Sequence, residues 1–141
     1  MAISFHNEGI PFKLKLKNRH KEWIRSVIVS HHKVPGNLTF IFTSNEQLKL
    51  MNQEYLNHNY FTDVITFDYT DGNVTSGDVF ISLEQVIENA EFYGVATDEE
   101  LRRVMIHGVL HLIGYRDASF KEKNIMQKKE NEALHLWLKM V

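Results

Sequence analysis

Hydrophobic and polar residues alternate with a period of two through NLTFIFTS, where Leu38, Phe40 and Phe42 fall on one side and Thr39, Ile41 and Thr43 on the other. That pattern predicts a strand. Upstream, residues 2 to 6 can form a short first strand, and RHKEWIRSVIVSHHK places Trp23, Val27 and Ile28 at helical spacing. We read a helix from about Lys17 to His32, ended by Pro35-Gly36. Ser44 or Asn45 can cap the next helix, in which Leu48, Met51 and Tyr55 recur three and four residues apart. The tract NHNYF, rich in Asn and aromatics, reads as a loop. Two runs of β-branched and aromatic residues follow, TDVITFDY and SGDVFISL, joined through TDGN. Asp71-Gly72 tolerates the positive φ that a tight turn needs, so the two runs should pair antiparallel. EQVIENAEFYGV predicts a helix closed by Gly94, and the final segment EKNIMQKKENEALHLWLKMV places Ile125, Leu134, Trp137 and Leu138 on an amphipathic helix.

Between these two lies the least ordinary helix. Thr97 followed by Glu100 matches a capping box, and Gly114 marks the other end. Leu101, Met105, Gly108 and Leu112 line one stripe, and Ile106, Val109, Leu110 and Ile113 fill much of the rest, so from Val104 onward the helix is apolar nearly all round. Such a helix lies in a domain interior, and Gly108 on its packed stripe lets a neighbouring element approach closely. The elements together predict an α+β fold, a small mixed sheet covered by helices, and 141 residues fit a single domain, 1–141, with one core.

Two histidines interrupt this apolar helix. His107 and His111 are four residues apart, so both imidazoles project from one face, close enough to share one ion. Gly114 breaks the chain, and Asp117 three residues later can swing a carboxylate back toward the same point. Two imidazoles and one carboxylate leave a coordination position open, as in catalytic zinc sites; the same set describes the facial triad of non-haem iron, so ligand type leaves the metal open. The residue after His107 is Gly108, where His-Glu-x-x-His metalloproteases carry their general base, which disfavours a protease. No other protein base is assignable; Asp63, Asp68 and Asp78 could orient a ligand or water, although capping and turn roles suit strand-end aspartates.

Composition narrows the alternatives. With no cysteine there is neither a disulfide framework nor a thiolate metal site, and a metal must be held by nitrogen and oxygen. The net charge of −2 gives no whole-molecule argument for binding nucleic acid, so any basic surface is local, as in KLKLKNRHK and KEKNIMQKK. Tyr60-Phe61 could stack an unpaired base. The start MAISFHNEGI lacks a secretory pattern and no apolar run is long enough to span a membrane, so a cytoplasmic location is expected. His6, His20, His31, His32, His58 and His135 have no ligand spacing.

HGVLHLIGYRD, residues 107 to 117, resembles the signature of the YbeY family, His-Gly-x-Leu-His-Leu-x-Gly-Tyr-Asp-His. The likeness extends to MNQEYLNHNYFTDVITF, SGDVFIS and DEELRRVMIHG, covering about Asn45 to Tyr115. The resemblance implies a metzincin-like α+β fold, one bound zinc-like ion, and hydrolytic cleavage of single-stranded RNA. It also implies work on the 3′ end of small-subunit ribosomal RNA and in ribosome quality control, with the small subunit or its associated proteins as partners. Asp117 stands where the family has a third histidine, which should make water at the ion less acidic. Leu56 stands where the family has an arginine expected to hold phosphate, a role Lys49, Arg103 or Arg116 could take. Two alternatives stay open beside the endoribonuclease: a non-catalytic ribosome assembly factor with a structural metal, and a metal-dependent hydrolase of a small substrate.

Overall fold

In the computed structural model, the described residues are 2–55 and 62–140. The chain runs β1 (Ile3–Asn7), α1 (Lys17–Ser30), β2 (Val34–Thr43), α2 (Asn45–Tyr55), β3 (Val64–Asp68), β4 (Val74–Ser82), α3 (Leu83–Tyr93), α4 (Thr97–Ile113) and α5 (Phe120–Lys139). Four strands form one sheet in the order β1-β2-β4-β3. β1 pairs parallel with β2, and β2 parallel with β4, setting Phe40 beside Val79 and Phe42 beside Ile81. β3 and β4 pair antiparallel with Val64 opposite Ile81, and the turn between them closes through Asp71 and Val74, as the Asp71-Gly72 signal predicts. The fold is the expected mixed α+β arrangement.

Period-two alternation gives the sheet two apolar faces. Leu38, Phe40, Phe42, Val79 and Ile81 face one core, which α1, α3, α4 and α5 cover with Trp23, Val86, Met105, Val109, Met126 and Trp137. On the other face, Leu48 and Met51 of α2 pack on Ile65, with Phe67 and Phe80 beside them. Burying these side chains stabilises the fold by roughly 1.5–3 kcal/mol for each large apolar residue, before chain entropy is subtracted. The histidine-bearing helix α4 lies directly on the sheet, as its apolar circumference requires. A Cβ at Gly108 would sit 2.7 Å from Val79 Cγ1 and 3.3 Å from Thr66 Cγ2, so the expected close approach is real.

Four expectations need correction. Pro35 and Gly36 lie inside β2, where the register slips between Pro35 and Leu38; a bulge tolerates a proline that lacks a ladder donor. Helix α1 ends earlier, with His31 as its cap and His32 at φ 62°. The Thr97–Glu100 capping box is absent: α4 starts one residue sooner, with Ala96 as its cap and no side-chain capping bond, so Glu100 is out of register and is buried instead. A true capping box does form at Ser119–Glu122, at the start of α5. Finally, the buried stripe of α5 is Met126, Glu130, Ala133 and Trp137, whereas Ile125 and Leu138 are exposed. That stripe carries an acid, and a reading by hydrophobicity alone therefore rotates the helix.

Candidate metal centre

The last turns of α4 present both imidazoles to one point. His107 Nε2 and His111 Nε2 are 3.0 Å apart. Gly114 adopts φ 126°, a left-handed conformation that glycine reaches without strain, and its N–H bonds back to the Leu110 and His111 carbonyls. The chain then returns Asp117, whose Oδ2 lies 3.2 Å from His107 Nε2 and 3.4 Å from His111 Nε2. Thus the three residues singled out from sequence converge, and together they form a group that could hold a metal ion. Ligand bonds of roughly 2.0–2.1 Å to a tetrahedral ion set neighbouring donor atoms about 3.3 Å apart, which is the spacing seen here. The donor set, two nitrogens and one carboxylate oxygen, suits zinc or another divalent ion.

Each imidazole is oriented through its other nitrogen. His107 Nδ1–H donates to Glu130 Oε2 at 2.6 Å, and His111 Nδ1–H donates to the Tyr115 carbonyl at 3.0 Å. With both protons placed on Nδ1, both Nε2 lone pairs face the same point. Burial depresses the His107 pKa, but the hydrogen bond and charge of Glu130, with Asp117 and Asp63, outweigh it and raise the imidazole above its ordinary 6.5. An arriving cation has to displace the imidazolium's second proton, the one on Nε2.

Beside His107 and Asp117 opens a cavity of about 570 Å³, whose walls include Asp63, Glu100, Arg103, Lys123 and Glu130, with Tyr93 at its edge. Asp63, from the residue before β3, accepts from Asn89 Nδ2 at 3.2 Å, and burial raises its carboxyl above the ordinary range. It is the one of the three strand aspartates that reaches this cavity. Asp68 accepts from the Thr70 backbone N–H at 2.9 Å, a turn role, and Asp78 faces the Tyr69 phenol.

Of the candidate cations, Arg103 lines the cavity but is engaged by Glu130 at 2.9 Å and by Asn131 at 2.7 Å, whereas Arg116 is exposed and Lys49 lies on α2. Lys123 brings the KEKNIMQKK cluster to the cavity wall. The KLKLKNRHK cluster contributes Lys13 and Lys15 to a separate groove beside Phe12 and Leu101. His20 and His31 each bond a helix carbonyl through Nδ1, at 2.9 Å to Leu16 and 2.8 Å to Val27. Leu56, His58, Tyr60 and Phe61 lie outside the described residues.

Sequence reasoning missed Glu130. Its one signal was an acid placed among Met126, Ala133 and Trp137, on the face that packs against α4.

Comparisons with known proteins agree with this geometry. The family model described as Endoribonuclease YbeY matches residues 3–137. A Bacteroides thetaiotaomicron protein named Endoribonuclease YbeY is 46% identical over 134 residues, covering 95% of this chain and 98% of its own. A Flavobacterium psychrophilum protein of the same name is 46% identical over 135 residues, with 96% of each chain covered. The solution structure of a Thermotoga maritima protein superposes with a TM-score of 0.64 at 25% identity, covering 98% of this chain and 93% of the other. A matched span reaching from β1 into α5 includes the histidine-bearing helix, the returning aspartate and the sheet beneath them, and on that ground the chain belongs to the Endoribonuclease YbeY family.

Proposed function

We propose that this endoribonuclease cuts single-stranded RNA at a divalent ion, zinc foremost, held by His107, His111 and Asp117. The proposal extends to its biological setting: maturation of the 3′ end of small-subunit ribosomal RNA and ribosome quality control in the cytoplasm, in contact with the small subunit. The nuclease activity itself follows from family membership, which sets aside both the non-catalytic assembly factor and the small-substrate hydrolase. The observation that carries the metal reading is the convergence of three donor atoms at 3.0, 3.2 and 3.4 Å.

A divalent ion at this point supplies Lewis-acid polarisation of a phosphoryl oxygen and lowers the pKa of water. The chain's own residues do the rest. Glu130 and the Tyr115 carbonyl hold the imidazoles in the tautomer that leaves Nε2 open. The cavity beside His107 admits substrate, with Lys123 on its wall as a cation for phosphate. Asp63, on the same wall and with its pKa raised by burial, is suited to exchanging a proton with a group in the cavity.

The test is cleavage of a labelled single-stranded RNA and of its duplex by metal-replete protein, beside His111→Ala purified identically. Wild type should cut the single strand, leave the duplex, and lose activity with a chelator, and His111→Ala should be inactive. Equal cutting by wild type and variant would refute the assignment of the site.

A further inference from the structure

We propose that Glu130 is the positioning residue of this centre: clamped by Arg103, its carboxylate fixes His107 in the one tautomer and orientation that can bind an ion through Nε2. The inference rests on the metal reading above.

Glu130 comes from a different helix, and its side chain is only 10% exposed. Its two oxygens have separate tasks. Oε2 accepts from His107 Nδ1 at 2.6 Å, and Oε1 accepts from Arg103 Nη1 at 2.9 Å. Arg103 is held in turn by Asn131 Oδ1, which accepts from Nη2 at 2.7 Å. The carboxylate thus lies between two donors and accepts from both. A chain of charge-assisted hydrogen bonds leads from α5 through α4 to the ion-facing nitrogen, in a half-buried setting where such bonds are strong.

This geometry requires a carboxylate rather than merely a polar group. A glutamine of the same shape has one acceptor oxygen and one N–H₂. If the N–H₂ faces Arg103, donor meets donor; if it faces His107, Nδ1 must become the acceptor and the imidazole proton moves to Nε2, where the ion would bind. Glu130→Gln is therefore nearly isosteric yet electrically mismatched. Removing the arginine as well resolves the mismatch, because the amide oxygen of Glu130→Gln can then turn to His107 once Arg103→Met no longer claims it.

Zinc affinity, measured by competition with a chromophoric chelator, reads this directly and independently of RNA cleavage. Loss of such a supporting partner typically weakens a metal site about 10–100-fold. Glu130→Gln should fall in that range, the double variant Glu130→Gln/Arg103→Met should regain most of the loss, and Glu132→Gln, an exposed partner of Lys129 on the same helix, should match wild type. Nitrogen-15 correlation spectra of zinc-loaded, histidine-labelled wild-type protein supply a reading that needs no variant: His107 should carry its proton on Nδ1 and meet the ion through Nε2. Unchanged affinity in Glu130→Gln, or a proton on His107 Nε2 in the zinc-loaded wild type, overturns the role of Glu130. A wild type that binds no zinc overturns the metal reading with it.

Discussion

Replacing Gly108 by alanine tests how the histidine-bearing helix is seated. The added Cβ would lie 2.7 Å from Val79 Cγ1 and 3.3 Å from Thr66 Cγ2, whereas carbon atoms in ordinary contact stand about 3.5–4.0 Å apart. Val79 is fully buried in β4 and its branched side chain has few rotamers to retreat into, so α4 has to lift locally by about 1 Å. Overpacking of this kind costs about 1–3 kcal/mol, and replacing a helical glycine by alanine returns about 1 kcal/mol. The net expectation is a loss of about 1 kcal/mol, read by urea unfolding with a chelator present so that no ion contributes. His107 and His111 lie on one helix with Asp117 just beyond it, so they move together and zinc affinity should change little. Their relation to Asp63, which enters the cavity from the sheet, does change. A misplacement of about 1 Å can lower a reaction rate by roughly 100-fold, so cleavage should fall well beyond what stability accounts for. A variant as stable as wild type or more so would refute the reasoning, because helix propensity would then outweigh the close approach.

Two further outcomes follow from neighbouring parts of the structure. Asp117→Asn keeps the shape of the third donor but removes its charge, and zinc affinity should fall by more than the roughly 100-fold upper range for loss of a supporting residue; an effect no larger than that of Glu130→Gln would remove Asp117 from the ligand set. His20 is buried beside Trp137, and desolvation, with the charges of Arg102 and Arg19, outweighs its backbone hydrogen bonds and lowers its pKa below 6.5. The unfolded chain then takes up the proton first as pH falls, so the stability this neutral histidine contributes is complete above 6.5 and is lost as pH drops toward the folded value. His20→Phe should flatten that part of the stability–pH curve, measured in chelator; an unchanged slope would show that His20 is not its source.

The contrast between what the sequence disclosed and what it hid follows sequence distance. His107, His111 and Asp117 fall within eleven residues, and their convergence needs only the helical period and a glycine that can take φ 126°, both local properties. The β3–β4 hairpin was legible for the same reason, through Asp71-Gly72. Glu130 was not, and Asp63 could be named only alongside Asp68 and Asp78, because Glu130 reaches His107 and Asp63 reaches the cavity through the packing of α5 and β3 on α4, which no local spacing encodes. The same packing decided the face of α5: Trp23 Nε1–H donates to the Ala133 carbonyl at 2.7 Å, and the Trp137 ring lies 4.0 Å from the Arg19 guanidinium and 4.5 Å from that of Arg102. These contacts rotate the helix so that Glu130, rather than Ile125, turns inward. A division of labour follows. The short motif fixes which atoms can hold an ion and, through Tyr115, the tautomer of His111, while residues distant in the chain decide the tautomer of His107 and what cavity the site faces. Substitutions in α5 or at the β3 edge should therefore alter ion affinity and RNA cleavage without touching the signature that marks the site.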